Sequence, residues 1–301
     1  MAPDGRSFIT AVGLTQSSVW LHDGGGDRQV SLEGYAFAPR FTPDGKRLLY
    51  QVRKGAASEL WVAELDSGRS EPLLPGIAVA PAGTSGLLAG YDISPDGRQV
   101  VVASPDNGGK SRLWLAPLDR RSPPRQIPNI EGGAPVFGAT GEVFFHSVEG
   151  TSAFLYRVRE DGGGLRKAID TSIVGISGVS PDRNWLAVAS RGLLVIFRVD
   201  GGAPLQTRIS GRTLVRWSGD GKHLFWHNPL TSRDKTYVFP LTPGRPLPES
   251  FIDGLPSDQD IVKLPEVRVI ESKDVVPGRT ADTYAFTRES VQRHLYRIPV
   301  P

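Results

Sequence analysis

Short apolar runs recur along this chain, each bracketed by glycine, proline and aspartate. Residues 47–52, 99–103, 142–146, 185–189 and 223–227 are β-branched or aromatic stretches of strand length. No segment keeps a convincing 3.6-residue period, so the pattern predicts strands and argues against an α/β fold. Before each run stands a turn. Thr42-Pro43-Asp44-Gly45 recurs as Ser94-Pro95-Asp96-Gly97, and more weakly as Ala2-Pro3-Asp4-Gly5, Ser180-Pro181-Asp182-Arg183 and Ser218-Gly219-Asp220-Gly221. Gly138-Ala139-Thr140-Gly141 holds the same place with the signature nearly gone. Proline presets φ, aspartate bonds local backbone, and glycine accepts positive φ. Where Arg183 replaces the glycine, a left-handed residue would carry a Cβ penalty, so that turn is expected to adopt a different geometry.

After each run a third strand follows, with one large side chain at a fixed place: Trp20, Trp61, Trp114, Tyr156, Ile196, Tyr237 and Tyr296. Most steps in this column are 40 to 42 residues, close to the length of a four-stranded propeller blade. The two longer steps have visible causes. Residues 77–90 form a small-residue insertion, and residues 247–282 a Pro-rich insertion before the last repeat. Asp/Gly turns such as Asp66-Ser67-Gly68 and Asp200-Gly201-Gly202 then lead into an outer strand.

Units of this kind cannot bury their faces alone, and radial closure is the usual solution. The expected fold is therefore all-β: one propeller domain over residues 1–301, built of four-stranded antiparallel blades. Seven blades are expected, with six as the alternative count. The repeat units span about residues 1–34, 35–76, 88–128, 133–170, 173–206, 208–248 and 265–301. The first and last units look incomplete, so either the two ends pair or edges stay open. The large column is expected to pack between neighbouring blades.

The 301 residues include 35 glycines and 25 prolines, yet 39% are hydrophobic, which excludes a disordered linker. Formal net charge is only +3 and no run of five basic residues occurs, so no nucleic-acid partner is expected. The absence of cysteine removes disulfides, thiolate metal sites and cysteine nucleophiles. No stretch approaches a membrane span, and the first residues lack a signal peptide's apolar core.

The repeated Ser/Thr-Pro-Asp-Gly turn, followed by an apolar strand and a Leu-Trp-Val strand, resembles the TolB-like, WD-like propeller repeat over nearly the whole chain. Two segments carry a narrower resemblance. Ser58-Glu59-Leu60-Trp61-Val62-Ala63 leading into residues 70–76, and Tyr284-Ala285-Phe286-Thr287-Arg288 with residues 291–299, look like the C-terminal propeller of bacterial eukaryotic-like serine/threonine kinases. That resemblance implies a bacterial sensor or interaction domain, extracytoplasmic (periplasmic) in location, within a larger signalling protein. No kinase motif is present in these residues.

Catalytic chemistry is poorly supported. His223 and His227 share one strand face, but four extended residues separate them by roughly 13 Å, too far for one ion. Gly175-Ile176-Ser177-Gly178 is one residue short of a nucleophile elbow, and Gly108-Gly109-Lys110-Ser111 lacks the first glycine and the helix of a phosphate loop. The turn aspartates recur, and a repeated role is a structural one. No catalytic residue, metal site or cofactor is expected.

The informative positions are those preceding the tight turns, which should face the central channel: Arg40, Asp92, Val136, Gly178 and Arg216. Arg40, Asp92 and Arg216 are the candidate channel-mouth residues, recognising a protein partner or an anionic ligand. The expected function is thus a non-catalytic binding or sensor propeller. The alternatives are a metal-dependent, lactonase-like propeller hydrolase and the accessory propeller of a prolyl-oligopeptidase-like peptidase.

Overall fold

The computed structural model describes residues 7–80, 90–139, 141–232, 234–254 and 261–299. Within them the strands assemble into six four-stranded antiparallel sheets, each a propeller blade. Blade I runs β3 (Tyr35–Phe41), β4 (Arg47–Lys54), β5 (Ala57–Glu64) and β6 (Ser70–Pro72) from the inside outward. Blade II is β7 (Tyr91–Ile93), β8 (Gln99–Pro105), β9 (Ser111–Pro117) and β10 (Arg125–Gln126). Blade III is β11 (Gly133–Phe137), β12 (Glu142–Glu149), β13 (Ser152–Arg159) and β14 (Arg166–Lys167). Blade IV is β15 (Gly175–Val179), β16 (Trp185–Ser190), β17 (Leu193–Arg198) and β18 (Leu205–Ser210). Blade V is β19 (Leu214–Trp217), β20 (His223–His227), β21 (Thr236–Pro240) and β22 (Arg268–Ile270).

Blade VI is made from both ends of the chain. Its inner strands are β23 (Val276–Pro277) and β24 (Tyr284–Pro299); its outer strands are β1 (Ser7–Asp23) and β2 (Gly26–Gln29). The inner strands then contact one another around the ring, with β23 reaching both β19 and β3.

This pairing corrects the expected count from seven blades to six. The first and last repeat units each supply half of one blade, because Trp20 pairs with Phe286 across β1 and β24. Phe286 thereby takes the place that Tyr50 holds opposite Trp61 and Trp226 holds opposite Tyr237. Tyr296 does not stand on a third strand of a complete blade but far along β24, opposite Thr10. The expected Pro-rich insertion, residues 247–282, is not outside the blades: its first part lies inside blade V, between β21 and β22, and carries the short helix α1 (Ser250–Asp253), and the rest supplies β22 of blade V and β23 of blade VI. From there Phe251, fully buried, packs edge-on against Phe239 and Trp226. The expected turn at residues 2–5, Thr140 within the blade III turn, and most of the 77–90 insertion lie outside the described residues.

Each interface between neighbouring blades holds its own hydrophobic cluster. Leu49, Leu60, Tyr91, Val100 and Val102 fill the I–II interface, and Phe137, Val143 and Phe145 the II–III interface. Trp217, Trp226, Tyr237 and Phe239 fill IV–V. Six members of the large column behave as packing: Trp61, Trp114, Tyr156 and Trp20 each lean on one of these clusters, and Ile196 and Tyr237 are buried within one, whereas Tyr296 is exposed and the expectation fails there. Burial at about 25 cal/mol per Å² makes these wedges the dominant attraction holding blade to blade.

Four of the tight turns are nearly identical. In blades I, II, IV and V a Ser or Thr hydroxyl donates to the aspartate two residues on: Thr42 to Asp44 and Ser94 to Asp96 at 2.6 Å, Ser180 to Asp182 and Ser218 to Asp220 at 2.5 Å. The same carboxylates accept the backbone N–H of Lys46, Arg98, Asn184 and Lys222. These bonds hold the four carboxyls below the ordinary range. At Asp96 the Ser94 hydroxyl is the largest cause. At Asp44, Asp182 and Asp220 partial burial pushes upward first and is outweighed by the hydroxyl and amide donors.

Candidate functional site

One end of the central channel opens into a cavity of about 370 Å³. The tight turns place it, since each projects the residues around it inward from the end of an inner strand. Arg40 comes from β3, Asp92 from β7, Gly178 from β15, Arg216 from β19 and Val276 from β23. Of the five expected channel positions, four therefore meet at one cavity. The fifth, Val136, is fully buried and is not part of its wall. Gly178 is glycine for a steric reason: a Cβ there would come within 2.2 Å of the Val215 carbonyl, so blades IV and V could not approach as they do.

Two further arginines join the wall, Arg183 and Arg279. Arg183 occupies the turn position where the other copies carry glycine. The expectation of a different turn geometry there is corrected by the structure. Arg183 has φ +60°, beside +71° at Gly45, +70° at Gly97 and +68° at Gly221. The left-handed conformation costs an L-residue about 1–2 kcal/mol. The offset lies in the side chain. Arg183 Nη1 donates to Asp92 Oδ2 at 2.8 Å and to the Phe137 carbonyl at 3.2 Å, while Nη2 donates to the Ile93 carbonyl at 3.0 Å. One strained residue of blade IV thus ties together blades II and III across the channel.

Asp92 is the hub of this wall, with a side chain only 3% exposed. Its Oδ1 accepts from Arg40 at 3.3 Å, and its Oδ2 accepts from Arg183 and from the Phe137 N–H at 2.9 Å. Arg40 also lies 5.8 Å above the Tyr91 ring. Burial pushes the Tyr91 hydroxyl upward, and it sits within hydrogen-bonding distance of the Ala38 and Leu49 carbonyls. Arg216 faces Asp274 at 2.5 Å. Arg279 stands on the turn joining β23 to β24, held where Gly219 and Asp220 donate backbone bonds to the Gly278 and Arg279 carbonyls. Its side chain reaches toward Gly45 of blade I.

The lining thus carries four guanidinium groups against one carboxylate. Ser177 Oγ, in a fully buried residue of the wall, and Arg183 Nε are both buried without a hydrogen-bond partner. Among the lining residues there is no histidine to act as a base, and the Thr42 and Ser180 hydroxyls are committed to their turn aspartates. Among the described residues no three of His, Asp and Glu gather as a metal site. His223 and His227 stay on β20, and the His227 ring nitrogen faces the Lys235 carbonyl at 2.7 Å. The chemistry that this wall offers is recognition of negative charge.

Arg40, Asp92 and Arg216 were legible from their place before the turns. Arg183 and Arg279 were not. For Arg183 the signal was present, as the one break of the glycine in an otherwise kept turn.

No known family profile matches the chain, and no curated protein matches it by sequence. Solved structures do. A putative TolB from Agrobacterium tumefaciens aligns over 92% of this chain and 99% of its own, with TM-score 0.62 and 18% identity. TolB from Acinetobacter baumannii aligns over 75% of this chain and 61% of its own, with TM-score 0.57 and 16% identity; the match thus spans less than two thirds of that protein. An oligogalacturonate lyase in complex with manganese aligns over 74% of this chain and 68% of its own, with TM-score 0.53 and 16% identity. At these identities the likeness is one of fold. The chain has TolB-like propellers as structural neighbours, and the narrower kinase resemblance gains no support from them.

Proposed function

We propose that this chain is a binding or sensing propeller whose channel mouth receives an anionic group, a carboxylate or phosphate, presented by a small ligand or a protein segment. Arg40, Arg216 and Arg279 would make the contacts, with Arg183 and Asp92 holding the wall in shape. One observation carries the reading: four guanidiniums line a cavity of about 370 Å³, and the one carboxylate among its described lining residues, Asp92, is shared between Arg40 and Arg183, while Arg216 meets Asp274 beside the wall and Arg279 adds a fourth positive charge. An extracytoplasmic place within a larger signalling protein is the finer part of this reading and rests on the sequence resemblance alone.

Titration calorimetry of the purified chain with citrate, inorganic phosphate and trigalacturonate tests it. Saturable binding that weakens at least about tenfold in the Arg40→Ala/Arg216→Ala/Arg279→Ala variant, about 1.4 kcal/mol, is the expected result. Affinity unchanged in that variant, or no binding of any of the three, overturns it. The fold shared with an oligogalacturonate lyase lends weight to the enzymatic alternative. Unsaturated product appearing from trigalacturonate with added manganese would favour that alternative.

A further inference from the structure

In blades I to IV the third strand passes to the fourth over a few residues, as from Glu64 to Ser70 and from Arg198 to Leu205. In blade V the same passage runs from Pro240 to Arg268. Its first part is tied to the ring: the Leu241 N–H donates to the Lys222 carbonyl and Trp217 Nε1 donates to the Pro246 carbonyl, both at 2.8 Å. Leu241, Gly244, Arg245 and Pro246 thereby wall a second cavity, of about 470 Å³, together with Trp185 and the turns of blades IV and V. This cavity adjoins the channel mouth, since Ser180, Pro181, Trp217 and Gly219 line both.

The two chambers differ in charge. Four guanidiniums line the mouth, whereas the second chamber holds the carboxylates of Asp182 and Asp220. The donors that bond these carboxylates are neutral: the Ser180 hydroxyl and Asn184 at Asp182, the Ser218 hydroxyl and the Lys222 N–H at Asp220. At Asp220 both bonds go to Oδ1, so the turn leaves Oδ2 for a ligand. Arg245, the remaining charge among the described lining residues, is paired with Glu249. Trp185, Leu241, Pro181 and Pro246 add an apolar wall. A carboxylate beside such a wall suits lysine or arginine, whose methylene stem covers apolar surface while the head meets the charge. An oligogalacturonate or a phosphate chain is negative throughout and would be repelled there.

We propose, on the premise that the channel takes an anionic group, that the chamber between blades IV and V is a cation subsite and that the ligand is a peptide segment carrying an acidic residue with a lysine or arginine close by. A segment is favoured over a free amino acid because the chambers share a rim and each is large enough for a side chain of its own. The turn aspartates recur in other blades, but the long passage that walls this chamber belongs to blade V alone among the five blades built from consecutive strands.

Titration calorimetry with two peptides is the test. One is acetyl-Lys-Ala-Glu-Ala-Lys-amide, which offers a lysine on either side of one glutamate; the other has norleucine in place of both lysines. The lysine peptide should bind about tenfold more tightly, the worth of one charge-assisted contact. Asp220→Asn should bring that ratio close to one. Arg245→Glu, an exposed change outside the channel lining, should raise the ratio severalfold while leaving citrate affinity as it was. It also gives a reading if Asp220→Asn disturbs its turn. Equal affinity for the two peptides while citrate still binds overturns the cation subsite and leaves the channel reading standing. So does a lysine preference that neither variant moves, since the lysine would then be held elsewhere. If citrate, phosphate and both peptides all fail to bind, the channel reading falls and this proposal falls with it.

Discussion

The turns of blades II and IV share one backbone and differ in one residue. Ser94-Pro95-Asp96-Gly97 ends in a glycine that reaches φ +70° without a Cβ to strain. Ser180-Pro181-Asp182-Arg183 reaches nearly the same angle with an arginine, and both turns keep the same hydroxyl-to-carboxylate bond. The blade II turn stabilises only its own hairpin. The blade IV turn accepts local strain so that its side chain can anchor Asp92, Ile93 and Phe137 on two other blades. Strain held in place by surrounding structure marks the channel wall as the specialised part of an otherwise repetitive ring.

Three experiments would break or sharpen this comparison, and two of them also probe the wall that shapes the proposed site. The largest effect is expected from Asp92→Ala, which leaves Arg183 and Arg40 facing each other without their buried carboxylate. Urea unfolding should show a loss of about 3–5 kcal/mol. A loss under about 1 kcal/mol would mean that water replaces the carboxylate freely and that the wall is not held by it.

Restoring the motif comes next. Arg183→Gly removes about 1 kcal/mol of backbone strain but breaks the buried pair, so a net loss of about 2 kcal/mol is expected. Gly221→Ala is the control. Its new Cβ would meet nothing nearer than the Pro181 ring at 3.7 Å, so it should cost only the left-handed strain, about 1 kcal/mol. If Arg183→Gly stabilises the protein instead, the arginine is a tolerated defect and the comparison fails.

The smallest effect is shared by the copies of the turn. Asp44, Asp96, Asp182 and Asp220 are held below their ordinary range in the folded chain. Their contribution is therefore present above the unfolded carboxyl value near 4 and is lost as pH falls through the folded values. Thermal unfolding should be flat from about pH 7 to 5 and decline below about pH 4. Ser94→Ala should shallow that decline by removing the donor that most lowers Asp96. An unchanged acid limb in that variant would show that the hydroxyl bond does not contribute in solution.

Much of the fold was legible along the chain. The turns at Thr42–Gly45 and Ser94–Gly97, the strands that follow them and the packing role of Trp61 and Trp114 all depend on local dihedral preference, short β-branched or aromatic runs and a repeated position. Arg40, Asp92 and Arg216 could be placed at the channel because their position relative to the turn repeats from blade to blade. Arg279 could not: its turn, at residues 278–282, has lost the Pro-Asp-Gly signature, and it is held by partners distant in sequence, the Gly219 and Asp220 amides and the Arg268 side chain.

By itself the sequence determined the element type, the sites of the turns, the repeat and the residues packed between blades, because these follow from chemistry within a few residues. Only the tertiary structure decided that seven units make six blades. That outcome rests on Trp20 meeting Phe286, a pairing across more than two hundred residues that no local period encodes. It also decided that Arg183 reaches Asp92, since a side chain's partner across a channel depends on the curvature of the closed ring.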